Sequence, residues 1–141
     1  MNEKEKERFK NAILEGWHKG NFEAWDEYYA PDCTFHKPPF ADLPNLEAAK
    51  ESTRESRNAY SNIKVDIPNI VFEGNLSTWQ YAWKAKHTGQ SPSLPIPPTN
   101  KDVTLVGCLI NRWEGGKIVE EWEYSDYLGF LQQLGVIPPM G

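Results

Sequence analysis

Cysteine is scarce in this chain of 141 residues. Cys33 and Cys108 stand far apart, outside any CxxC or Cys/His spacing, which excludes a disulfide framework and a structural zinc site. Two free thiols suit a reducing, cytoplasmic compartment. Histidine is just as sparse: His18, His36 and His87 show neither HxH nor HExxH spacing, so no metal is expected. No run approaches the roughly 18 apolar residues of a membrane span, and the charged stretch Met1–Lys10 has no apolar signal-peptide centre. Positive charge is in deficit, with 15 Lys and Arg against 20 Asp and Glu and a formal net charge of −5. Without a basic stripe to neutralise phosphates, nucleic acid is excluded as a partner. A phosphate-cradling glycine loop, a dinucleotide fingerprint and internal repeats are all missing.

What the chain does have is rings. Six each of Trp, Tyr and Phe sit in a sequence only 39% apolar, so its hydrophobic content is concentrated in a few large side chains. A domain of this length, read as one unit over residues 1–141, hides about two-thirds of its unfolded surface. That is enough for a core and a pocket.

The first third has helical period. Phe9, Ala12, Ile13 and Trp17 share one side of a helix from Glu3 to Lys19, with Gly20 as its stop. Asn21 is the expected cap of a short second helix through Tyr29, ended by Pro31. Cys33 to Lys37 reads as a short strand before the stretch Pro38-Pro39-Phe40. Asn45 caps a third helix to about Tyr60, whose thin stripe of Leu46, Ala49, Thr53 and Tyr60 places it outside, bordering an opening. From Ile63 the period changes to two. Ile63, Val65 and Ile67 share a face, and Ile70 and Phe72 lie in the opposite phase, which predicts a bulge at Pro68. Trp79, Tyr81, Trp83, Ala85 and His87 alternate with Gln80, Lys84, Lys86 and Thr88. After a proline-rich loop, Val103–Trp113 pairs with Lys117–Ser125 across Gly115-Gly116, and a last helix runs from Tyr127 to Leu134. Helices followed by an antiparallel meander make an α+β domain. Strand 103–113 is apolar on both sides, so one face packs under the helices and the outer face is expected to pair with a second copy as a homodimer.

Two polar residues end otherwise apolar strand faces. His87 follows Trp79, Tyr81 and Trp83; Asp126 follows Ile118, Trp122 and Tyr124. Pointed into a cavity, they would be desolvated, which raises an aspartate pKa, lowers that of a histidine and suits both to moving protons near neutral pH. Gly107 and Ala85 on inward faces leave room for a ligand. Blander readings stand beside these. Asp126 precedes a helix and fits an N-cap equally well, and His87 fits a hydrogen-bonded rim position. Glu120 and Glu121 divide between the two faces of their strand, Glu120 in phase with Asp126.

The segments GNFEAWDEYYAPDCTFHKPP (20–39), NLEAAKE (45–51), WKAKHTG (83–89), PIPPTNKDVTLVG (95–107) and GGKIVEEWEYSDYLGFLQQLG (115–135) resemble those of the SnoaL-like polyketide cyclases, also called ester cyclases, of the nuclear-transport-factor-2-like superfamily. The resemblance implies a cone-shaped α+β barrel, three helices on a curved, mostly antiparallel sheet around an apolar pocket. It implies intramolecular aldol closure of a polyketide ester, or a related isomerisation, without metal or other cofactor. Asp126 matches the family's acid/base, taking a proton from an activated methylene and returning one to the alkoxide, with His87 bonded to the carbonyl or enolate oxygen. Expected against the substrate are His36, Phe40, Tyr81, Trp83, Trp113, Trp122 and Tyr124. The alternative reading is a non-catalytic protein binding an apolar small molecule in the same pocket. Two departures stand out: Asn100 replaces the usual glycine at a left-handed turn, and Ser91-Pro92-Ser93-Leu94 are extra residues beside the pocket mouth.

Overall fold

A computed structural model describes residues 1–140. Helix α1 (Glu3–Lys19) begins where Asn2 and Glu5 bond each other's backbone N–H reciprocally, and ends at Gly20 in the left-handed region, φ 73°. Its buried side carries Phe9, Ala12, Ile13 and Gly16. A Cβ on Gly16 would lie 2.4 Å from the Trp25 ring, so only glycine lets that indole lie flat on the helix. The expected second helix is a 3₁₀ turn over Phe22–Glu27, and Asn21 makes no side-chain cap bond. Strand β1 (Tyr29–His36) therefore starts earlier than its apolar pattern predicts. Pro31 lies inside it, within the irregular stretch of pairing between Tyr29 and Thr34. β1 is an edge strand, where a missing N–H interrupts little.

Helix α2 (Leu46–Ala59) is capped by Asn45, whose side chain accepts from the Ala48 N–H at 2.8 Å. Strands β2 (Tyr60–Asp66) and β3 (Ile70–Glu73) both pair with β4 (Leu76–His87). The phase change at Pro68 is thus a break between two strands, and the bulge in this region falls at Ser61–Lys64, where Asn62 has φ 55°. Strand β5 (Asp102–Glu114) follows, then β6 (Lys117–Ser125) and helix α3 (Tyr127–Leu134). The sheet order is β1-β6-β5-β4-β2, with β3 also on β4, and the β1–β6 pair is its parallel one. The result is a mixed, mostly antiparallel α+β fold. Phe9 of α1 meets Trp79 and Trp113 of the sheet edge-on, and Phe130 of α3 meets Tyr60 and Trp83.

One irregularity decides where the chemistry sits. In the β5–β6 ladder Trp113 pairs with Ile118 but Arg112 pairs with Glu120, leaving Val119 unpaired. That bulge shifts the phase by one residue, and a shift of one moves every later side chain to the other face. Ile118 points inward as alternation predicts. Beyond it, Glu121, Glu123 and Ser125 point inward, opposite Asn111, Leu109 and Gly107. Trp122 and Tyr124, expected on the inner face, stand opposite Ile110 and Cys108 on the outer one.

Candidate active site

A cavity of about 500 Å³ opens between α2, the 37–44 stretch, the 91–94 turn and the inner sheet face, within the range that takes a small molecule of several rings. Its aromatic wall is continuous. Trp83 meets Trp17, Tyr60 and Phe130 edge-on, with ring centroids 6.0, 5.0 and 6.1 Å apart. The thin stripe of α2 contributes Ala49, Thr53 and Tyr60, with Ala48 and Ser52 beside them, so the helix does border the opening. Leu94 and Ser91, both buried, add a wall from the extra turn.

Glu51 and Glu55 of α2 border the cavity as exposed side chains, and on the sheet side two carboxylates interrupt the apolar lining. Glu121 and Glu123 follow each other on the inward face of β6, about 7 Å apart along the strand. Glu121 is buried, and its Oε1 accepts from the Tyr29 hydroxyl and from Asn111 Nδ2, each at 2.7 Å. Burial pushes the carboxyl up to about 7, the nearby Glu123 charge adds to that rise, and the Tyr29 bond opposes it. Glu123 Oε2 accepts from the Tyr81 hydroxyl at 2.5 Å, and Lys37 Nζ stands 3.9 Å from Oε1. Both phenols are driven well above their usual ionisation, chiefly by burial, so they act as hydrogen-bond donors. Gly107 serves this arrangement directly. A Cβ there would fall 2.7 Å from the Tyr81 hydroxyl and 2.6 Å from the Tyr124 carbonyl. The small residue leaves room for the phenol that holds Glu123, where a ligand was expected.

Four of the sequence-predicted residues, His36, Phe40, Tyr81 and Trp83, line the cavity. His36 does so with both ring nitrogens engaged: Nδ1 lies 3.0 Å from Asp42 and Nε2 2.7 Å from Glu120, and the ring stacks on Trp122. The Glu120 bond first, then Asp42, raises the imidazole above its usual value. It is a clamp between β1, β6 and the 37–44 stretch, and it offers a ligand its ring and no free nitrogen. Phe40 closes on Tyr127 at 5.0 Å.

The other five do not line the cavity. Trp122 and Tyr124 lie outside because of the bulge. Trp113 is half-buried against the core: its ring meets Phe9, Tyr28 and Phe72, and its indole N–H donates to Ser77 Oγ at 2.8 Å. His87 is fully buried behind Tyr60, ring centroids 5.2 Å apart. Its Nδ1 accepts from the Thr99 N–H at 3.1 Å, which puts the proton of the neutral ring on Nε2, an atom with no partner among the described residues. Burial lowers its pKa and keeps it neutral. The residue pins the base of the proline-rich loop, whose return runs through Asn100 at φ 58°, the left-handed position its side chain tolerates.

Asp126 and His87 are therefore not brought together in one cavity. Asp126 is exposed, and its Oδ1 accepts from the Gly129 N–H at 2.9 Å as the N-cap of α3. Asp126→Ala should lower stability by about 1 kcal/mol in urea denaturation, and Asp126→Asn should retain most of it, because asparagine caps as well. Sequence reasoning passed over Glu123, Tyr29 and Asn111 and put Glu121 on the wrong face. The available signal was Asn111 itself, a polar residue in phase with Val103, Leu105 and Leu109, which calls for a buried polar partner on the next strand. No group of three or more His, Cys, Asp or Glu able to hold a metal ion occurs among the described residues, and no helix is long and apolar enough to cross a membrane.

The family model of the SnoaL-like polyketide cyclases matches residues 7–134. No curated protein matches the sequence significantly. Among solved structures, TsrD from Streptomyces laurentii superposes with a TM-score of 0.83 at 19% identity, covering 97% of this chain and 99% of that one. A candidate polyketide cyclase from Acidithiobacillus ferrooxidans gives 0.77 at 27% identity, covering 96% of each chain. AclR from Streptomyces galilaeus, described as a candidate hydroxylase, gives 0.76 at 20% identity over 96% of this chain and 85% of that one. The fold is shared across descriptions that name different chemistries, so the reaction must be argued from the site.

Proposed function

The chain belongs to the SnoaL-like polyketide cyclase family, and we propose that it is an acid–base enzyme, independent of any cofactor, that closes a ring by intramolecular aldol addition in an apolar, carbonyl-bearing small molecule. The observation that carries this reading is the Glu121 carboxyl, buried in the wall of a cavity of multi-ring size and balanced between its two protonation states near neutral pH. Glu123, oriented by Tyr81, takes a proton from the carbon between two carbonyls, and the C–H electron pair enters the enolate. The enolate carbon adds to the second carbonyl, forming the C–C bond and placing a pair on its oxygen. Glu121 gives its proton to that alkoxide, and cavity water returns the proton from Glu123 to Glu121. The aromatic wall excludes bulk water, which strengthens both interactions. We include in the proposal a homodimer through the outer sheet face, supported by the exposed Val106, Ile110 and Tyr124.

The rate requires protonated Glu121, so it should fall as pH rises through about 7. With a turned-over aryl β-keto ester, Glu121→Gln should lower kcat by about 10²- to 10⁴-fold while tryptophan fluorescence still reports binding. Full turnover in that variant contradicts the assignment. Binding of such compounds without turnover by the unaltered protein would favour a non-catalytic binding role.

A further inference from the structure

Beneath the cavity wall runs a chain of hydrogen bonds, half-buried at Trp113 and buried from Ser77 onward, that all point one way. The Trp113 indole N–H donates to Ser77 Oγ at 2.8 Å, and Ser77 donates its own proton to Asn111 Oδ1 at 2.9 Å. The Trp79 indole N–H donates to the same Oδ1 at 2.9 Å. An indole can only donate, so the Asn111 oxygen must face Trp79 and Ser77. Its two lone pairs are then filled and its NH₂ is turned toward Glu121, where it donates to Oε1. Tyr29 donates to that same Oε1, and its hydroxyl has no other acceptor among the described residues. Ser77 and Asn111 are buried, Asn111 fully, so a reversed amide would leave orphaned donors that are costly to bury.

We propose that Trp113, Trp79, Ser77 and Asn111 form a directional positioning relay that confines the acidic proton of Glu121 to Oε2. A proton on Oε1 would make a much poorer acceptor of the oxygen that already takes the Tyr29 and Asn111 hydrogens, and would set a third hydrogen against those two. Oε2 makes no hydrogen bond among the described residues and is not sealed from solvent, so it keeps access to the cavity that Glu121 lines. The relay thus aims the proton at the substrate and supports the ionised form with two donors on the opposite oxygen. Asn111 touches no substrate; it is a positioning residue, acting through Glu121. The inference rests on the acid role of Glu121, but its test needs no substrate.

Glu121 is titrated in the resting protein by ¹³C NMR of labelled glutamate side chains, with Glu121→Gln assigning the resonance. Asn111→Leu removes one donor to a charged group and should raise the midpoint by about 1 to 2 pH units. Trp79→Phe, a milder change that frees the amide to turn, should raise it by less, in the same direction. Infrared difference spectra of the protonated acid give a second signature. With the proton on Oε2, the carbonyl is Oε1 and accepts two bonds, so its stretch should move to higher wavenumber in Asn111→Leu. A midpoint and a stretch unchanged in both variants overturn the relay. A shifted midpoint alongside full turnover in Glu121→Gln would keep the relay and remove the catalytic role.

Discussion

Replacing Glu121 by glutamine should make the protein more stable at pH 8, by about 3 kcal/mol, and leave its stability near pH 4 almost unchanged. The carboxyl ionises near 7 in the folded chain against 4.5 in the unfolded one. A folded pKa raised in this way means that the folded state holds its proton more tightly. The associated stability is fully present below 4.5 and is lost as pH rises through 7, at about 1.4 kcal/mol per pH unit of difference. Glutamine reproduces the protonated carboxyl, with its oxygen on Tyr29 and Asn111 and its NH₂ toward the cavity, and it does not titrate. Urea denaturation from pH 4 to 8 should therefore give parallel behaviour at the acid end and a widening gap above 5. A glutamine variant less stable than the parent at pH 8 contradicts the assignment. The same substitution is expected to remove turnover, a gain of stability against a loss of activity that is common at catalytic sites.

Phe9→Ala should lose about 3 to 5 kcal/mol in the same measurement. Phe9 is fully buried, and its ring meets Tyr28 at 5.1 Å, Trp113 at 5.5 Å and Trp79 at 6.4 Å, each edge-on. It fastens α1 to the sheet at the two indoles that feed Asn111, so the cavity left behind cannot close without moving them. Phe9→Leu, which refills most of the space, should lose far less. A loss below 1 kcal/mol for the alanine variant would mean that α1 is not held by this contact.

These two residues mark what the sequence makes legible. Phe9 follows from helical period, the end of α1 from Gly20, and the starts of α2 and α3 from local signals at Asn45 and Asp126. The inward face of β4 is equally plain, because Trp79, Tyr81, Trp83 and His87 alternate without interruption. The hairpin at Gly115-Gly116 and the left-handed Asn100 are backbone demands that few residue types meet. Glu121 was hidden by Val119, the one residue left out of the β5–β6 ladder. A bulge carries little composition of its own. It is selected by packing on both faces, which puts Trp122 and Tyr124 opposite Ile110 and Cys108 and seats Glu121 on Asn111. Period-two reasoning carried across it inverts every side chain to Ser125, which is why it pointed to Asp126. His87 is correctly inward, but Tyr60 stands between it and the cavity, a tertiary fact that no spacing announces. Pro31 and the 3₁₀ turn before it are similar: propensity favoured a helix, and pairing with β6 prevailed.

The most direct measurement is the ionisation of Glu121 itself, followed by ¹³C NMR in the unaltered protein and assigned by loss of the signal in Glu121→Gln. A buried acid poised for proton transfer predicts a midpoint near 7, whereas a midpoint at the ordinary glutamate value near 4.5 would contradict it.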